Sequence, residues 1–238
     1  MKLAHGTFTW IVTGMLIACG TNPDPVPVSP PPPEAGAPLP FPQVEDNVRH
    51  DTLLIQTTFD LLDGTFVMVA SNVNETFEGV RLIHYRPLPD SAAGVIATSS
   101  PGYDSWTMLP TFHATLDPDE RLILANFGER ESWGQKLMTF DHGFEDIGFL
   151  DVALPVRETE NDTLVLKRRD IGPYARTAHV GDTLTITFAT DSVYLYEGLH
   201  NDHDIVLPSH KVRYTLDRSG VLMLWVGGAH AALPLSPV

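Results

Sequence analysis

The densest set of side chains able to do chemistry is His200-Asn201-Asp202-His203-Asp204, with His210 close behind. Neutral imidazoles and carboxylates can take Zn²⁺ or Cu²⁺, and oxygens alone can take Ca²⁺. His200 and His203 stand three residues apart, a workable spacing for two ligands in a turn. The same residues describe a solvated loop equally well, because Asn and Asp cap turns through local backbone bonds. No Ca²⁺-loop pattern with a central Gly and a terminal Glu is present.

Motifs for catalysis are missing: the chain holds no G-x-S-x-G elbow, P-loop, G-x-G-x-x-G or H-E-x-x-H. Ser, His and Asp are plentiful, so a triad assembled in space stays open. Glu129, Glu131, Asp141, Glu145, Asp146 and Asp151 include material for an acid–base pair. A charged surface that keeps the protein in solution accounts for them more simply. The expectation is a protein that is not an enzyme and carries no cofactor.

Aromatic residues offer a different chemistry. Trp106, Trp133, Tyr103, Phe127 and Phe144 fall in or beside expected loops, where rings serve as anchors for a protein partner or as sugar-stacking platforms. The competing reading makes them plugs at the ends of a β-sandwich. Residues 140–150 mix apolar and acidic side chains without strand alternation, which suggests a contact strip. Phe144, Phe149, Trp133 and Trp106 are the candidate partner contacts.

What must position these groups is a β framework. The chain has 238 residues, is 43% hydrophobic and carries a net charge of −15. That apolar content excludes wholesale disorder, and the acid excess argues against nucleic acid or an anionic membrane surface as partner. A single cysteine, Cys19, excludes a disulfide framework and any Cys-rich metal site. Runs rich in Val, Ile, Thr, Phe and Tyr predict strands near 52–59, 65–72, 80–85, 94–98, 106–116, 121–126 and 136–140. A second set is expected near 151–157, 163–167, 183–189, 193–197, 211–216 and 221–226. Asp63-Gly64, Pro101-Gly102, Gly181-Asp182 and Ser219-Gly220 supply turns between them. The spacing predicts an all-β protein with two β-sandwich units, residues 45–149 and 150–238, or one larger sandwich.

The N-terminal part reads differently. Lys2 precedes an apolar run from Phe8 to Ala18 that suits the core of a signal peptide. It ends in Leu16-Ile17-Ala18-Cys19, which resembles the lipobox of bacterial lipoproteins. The resemblance implies a signal peptide over residues 1–18 and a lipid-bearing Cys19. It also implies an address on the periplasmic or cell-surface side of a bacterial membrane. Residues 19–44 then read as a disordered, proline-rich tether, with ten of the 20 prolines between Pro23 and Pro42. Twenty such residues reach roughly 60 Å when extended.

The C-terminal unit carries Val180-Gly181-Asp182-Thr183-Leu184-Thr185-Ile186-Thr187-Phe188, which resembles a strand of the cupredoxins. Ser219 to Trp225 is similar in character to a later strand of that family. The resemblance implies an Ig-like or cupredoxin-like sandwich, and it places His200, His203 and His230 where metal-binding histidines would stand. Gly227 occupies the neighbourhood of the thiolate ligand and no Met follows His230, so a blue-copper site is excluded. The expected function is protein–protein binding by a lipid-anchored accessory or scaffolding subunit. A metal- or small-ligand-binding lipoprotein is the alternative, and a hydrolase without a recognisable motif the second alternative.

Overall fold

β-branched and aromatic runs cut by Gly and Asp turns dictate strands, and antiparallel hairpins join them in sequence. The computed structural model describes residues 34–45, 47–48, 51–73, 79–102, 105–196 and 204–233. Their strands are β1 (Gln43–Val44), β2 (Leu53–Asp60), β3 (Phe66–Asn72), β4 (Arg81–Pro87) and β5 (Ala93–Thr98). Next come β6 (Thr107–Ala114), β7 (Arg121–Gly128), β8 (Ser132–Phe140) and β9 (Phe144–Leu150). Then follow β10 (Val152–Glu160), β11 (Thr163–Arg169), β12 (Ala175–Val180), β13 (Thr183–Phe188) and β14 (Ser192–Tyr196). The last are β15 (Asp204–Pro208), β16 (Val212–Leu216), β17 (Leu222–Val226) and β18 (Ala229–Ala232). They form four antiparallel sheets, ordered β1-β2-β3-β4-β5, β6-β7-β8-β9, β11-β10-β14-β15 and β12-β13-β16-β17-β18.

The second sheet is the central layer. Leu122 and Leu124 of β7 face one way, while Ile123, Ala125 and Phe127 face the other, and all five are buried. This is the two-period of a strand with apolar residues on both faces. The Ile123 face packs against Phe59, Val67, Val69 and Leu82 of the first sheet. The Leu122 face packs, together with Leu137 and Leu150 of the same sheet, against Val152 and Val193 of the third sheet and Ile186 and Tyr214 of the fourth. A satellite core of Met68, Ala70, Ile83 and Tyr85 lies on the outer face of the first sheet under Val48. There the Tyr85 hydroxyl donates to Asn47 Oδ1 at 2.7 Å.

These layers alter two expectations about domain organisation. Pro33–Val238 forms one compact unit, and a single core runs through the junction expected at 149/150. Leu150 and Val152 flank that junction and are both fully buried in it. The tether expected over 19–44 is shorter at its C-terminal end. Leu39 and Phe41 pack on the core between the first two sheets, and Val44 already pairs with Thr58 of β2.

Residues 144–150, expected to lack strand alternation, form β9 against β8. Leu137 pairs with Gly148 and Met138 with Asp146, so Ile147 is the extra residue of a β-bulge. The bulge shifts the pattern by one residue and hides the period of two.

Candidate functional site

The end of the central sheet that carries the β7–β8 turn presents two exposed tryptophans. Trp106 is 73% exposed and Trp133 is 38% exposed, although tryptophan is on average a well-buried residue. The two flank one cross-strand row. Thr107 pairs with Gly128 and Gly128 with Ser132; Trp106 precedes Thr107, and Trp133, following Ser132, is the extra residue of a β-bulge. The Trp106 amide donates to Gly128 O at 3.0 Å, and Gln56 Nε2 donates to Trp106 O. The Phe127 ring meets Trp133 edge-on at 6.1 Å and Phe149 at 5.2 Å.

Gly134 creates the seat for Phe149. Its φ is +143°, and a Cβ there would stand 2.3 Å from Phe149 Cζ. The ring therefore lies on the glycine backbone, where a side chain would displace it.

A basic run on β11, Lys167-Arg168-Arg169, holds the same turn from the other side. Lys167 Nζ donates to Glu131 at 2.8 Å and pairs with Glu160 at 3.1 Å. Those bonds raise the Lys167 pKa, and the bond from Lys167 lowers that of Glu131. Arg168 Nε donates to Ser132 O at 2.9 Å and its Nη2 to Trp133 O at 3.2 Å. The same guanidinium meets Asp151 and Asp204, each at 2.5 Å, and lies over the Tyr194 ring. Burial raises the Asp151 pKa, an effect that outweighs the lowering by Arg168. Arg169 donates to Arg130 O and to Glu158. Three consecutive cations thus bind four consecutive turn residues, Arg130 to Trp133. A planar guanidinium with five donors suits this bridging role.

This arrangement suits binding. Exposed tryptophans on an immobile support lose little side-chain freedom on docking, and they bury a large apolar area.

The chain matches no protein-family model, no curated protein and no solved structure. Its geometry therefore carries the functional argument.

The other expected site residues are placed as follows. Phe144 sits at the far end of the β8–β9 hairpin, stacked on Phe140 at 4.8 Å and packed on the core, away from the tryptophans. Phe149 is half-buried and supports the aromatic face. His230 is exposed on β18 with its ring 4.5 Å from that of Trp225, and Arg213 covers Trp225 at 4.8 Å. Cys19, His200 and His203 lie outside the described residues. Among the described residues, no group of three or more His, Cys, Asp or Glu is placed to hold a metal ion.

A buried polar chain crosses the central sheet below the turn. Ser132 Oγ and Gln135 Nε2 both donate to Asn126 Oδ1, the latter at 3.0 Å. Gln135 Nε2 also reaches Asp170 Oδ1 at 3.1 Å, which accepts the Gly172 amide at 2.8 Å. Burial raises the Asp170 pKa. His113 is fully buried near Thr111, and burial lowers its pKa to about 4. Such enclosed networks fix one arrangement of layers. The basic run was legible as the one cluster of cations in an acidic chain, but its target was not.

Proposed function

We propose that this protein is a lipid-anchored, extracytoplasmic binding subunit that docks on a protein of its own membrane or envelope. The observation that carries the reading is the pair Trp106 and Trp133, exposed beside the β7–β8 turn that Lys167, Arg168 and Arg169 hold, with Trp106 tied to it through Gly128 O. Anchors of this kind dominate interface energetics, because a preformed aromatic surface costs little order on binding. The membrane half of the proposal rests on Leu16-Ile17-Ala18-Cys19 and its resemblance to the lipobox. A net charge of −15 does not favour electrostatic attraction to an anionic lipid surface.

Two measurements test it. Replacing Cys19 with Ser abolishes incorporation of labelled palmitate and releases the protein from the membrane fraction; retention of label in that variant overturns the anchor. A photo-crosslinking amino acid at position 106, used in intact cells, yields one discrete adduct that Trp133→Ala abolishes. A crosslink pattern indifferent to Trp133 overturns the docking face.

A further inference from the structure

β6 is an edge of the central sheet and β12 an edge of the fourth, and the N-terminal arm bridges the two. Gly36 O accepts the Thr177 amide of β12 at 2.9 Å, and the Leu39 amide donates to Phe112 O of β6 at 2.6 Å. Glu34 pairs with Arg176 of β12 at 2.8 Å. From Leu39 onward the arm is fixed by packing, with the Phe41 ring edge-on to Phe112 at 5.2 Å. Residues 34–38 belong to neither of the two large cores, so their polar contacts with β12 are what hold them.

His113 of β6 lies in the seam that this stretch closes. Alternation along β6 sends Phe112 toward the first sheet and His113 the other way, beside Leu122, its cross-strand neighbour. The ring is fully enclosed. Its Nε2 stands 3.4 Å from Thr111 Oγ1, and its Nδ1 has no hydrogen-bond partner among the described residues. A buried ring nitrogen left without a partner is uncommon and calls for a reason.

The surroundings oppose a charged ring. Burial does so most, the Gly36 backbone favours it without prevailing, and Arg176 adds a like charge. Glu34, the carboxylate of the arm, is committed to Arg176, and Asp170, beyond Thr111, accepts from the Gly172 amide and Gln135. His179 is the other imidazole on the inward side of β12, two residues past Thr177.

We infer that residues 34–38 form a strap that protonation of His113 opens. An imidazolium needs water, and lifting the strap admits it, because the other walls of the seam are strands of two sheets. Opening breaks the Gly36–Thr177 bond and the Glu34–Arg176 pair, while Phe41 stays on the core as the hinge. Five freed residues extend by about 15 Å. A longer reach from the membrane rests on the anchor proposed above; the opening itself does not.

Hydrogen exchange of the full chain from pH 7 to 5, corrected for the intrinsic pH dependence of exchange, tests the strap. The Thr177 amide, whose acceptor is on the strap, is expected to lose protection about twentyfold, while the Leu124 amide at the centre of β7 keeps its own. His113→Gln, or His113→Leu where the glutamine variant does not fold, removes the loss at Thr177, and His179→Gln retains it. An unchanged Thr177 amide, or equal losses at Thr177 and Leu124, overturns the proposal. So does a loss that persists without His113 or disappears with His179.

Discussion

The carbonyl of Gly36 accepts the Thr177 amide at 2.9 Å, tying the N-terminal arm to β12 across 141 residues of chain. The arm continues through Leu39, whose amide donates to Phe112 O at 2.6 Å, and through Pro42, which accepts the Asp60 amide at 3.0 Å. Glu34 meets Arg176 at 2.8 Å at its outer end. One short segment therefore joins the first, second and fourth sheets.

Gly36 has φ of +75°, and a Cβ there would stand 2.1 Å from Thr177 O. Gly36→Ala is expected to cost about 2–3 kcal/mol through strain and the lost bond. For a unit of this size the melting temperature falls by roughly 5–10 °C. Gly143→Ala, where a Cβ meets nothing within 4 Å, serves as the control and leaves melting unchanged. Equal melting of both variants would show that the arm does not bear on stability.

His113 sets an acid limit. Its folded pKa of about 4 lies below the ordinary 6.5 because burial disfavours the imidazolium. A histidine shifted down contributes stability that is complete above pH 6.5 and is lost as pH falls toward 4. The loss is about 3 kcal/mol over that window. His84 is shifted down by burial as well and acts in the same direction, with Asp63 opposing it. Asp151 and Asp170 are shifted up, so their contribution declines as pH rises from 3.8. Urea titrations of the wild type and His113→Gln from pH 7 to 4 isolate the His113 share. The variant's stability curve is expected to be flatter, and parallel curves would contradict the assignment.

Arg168 separates two carboxylates. Arg168→Met leaves Asp151 and Asp204 half-buried without a counter-charge, and takes the donors from Ser132 O and Trp133 O. The expected loss is about 2–4 kcal/mol. Arg168→Lys recovers little of it, since one ammonium cannot span four acceptors in the geometry of a guanidinium. Denaturant midpoints of both variants check this, with full rescue by lysine as the contrary result.

The tryptophans are expected to separate binding from folding. Trp106 is mostly in water, so Trp106→Ala changes stability by about 0.5 kcal/mol or less. Trp133 touches Phe127, and its loss costs about 1 kcal/mol. Calorimetry measures these small changes, while the adduct formed at this face is lost in Trp133→Ala. A large stability loss in Trp106→Ala would make that ring structural.

The amino-acid order by itself determined where the strands and turns fall. Thirteen expected strands each overlap an observed one, because β-branched runs and Gly-Asp or Asp-Gly breaks act locally. It hid five of the 18 strands among the described residues: β9, whose bulge at Ile147 breaks the alternation, β1, which lies among prolines, and β12, β15 and β18. It also marked Trp106, Trp133 and Phe149 as candidates without showing that Phe144 belongs elsewhere. Only the tertiary structure decided that one sheet serves two cores. An apolar side chain looks the same in sequence whichever neighbour covers it, so Leu122 and Ile123 cannot announce that they face different layers. The clamp of Lys167, Arg168 and Arg169 on the β7–β8 turn was hidden for the same reason: its partners stand some 36 residues away, and only folding brings them together.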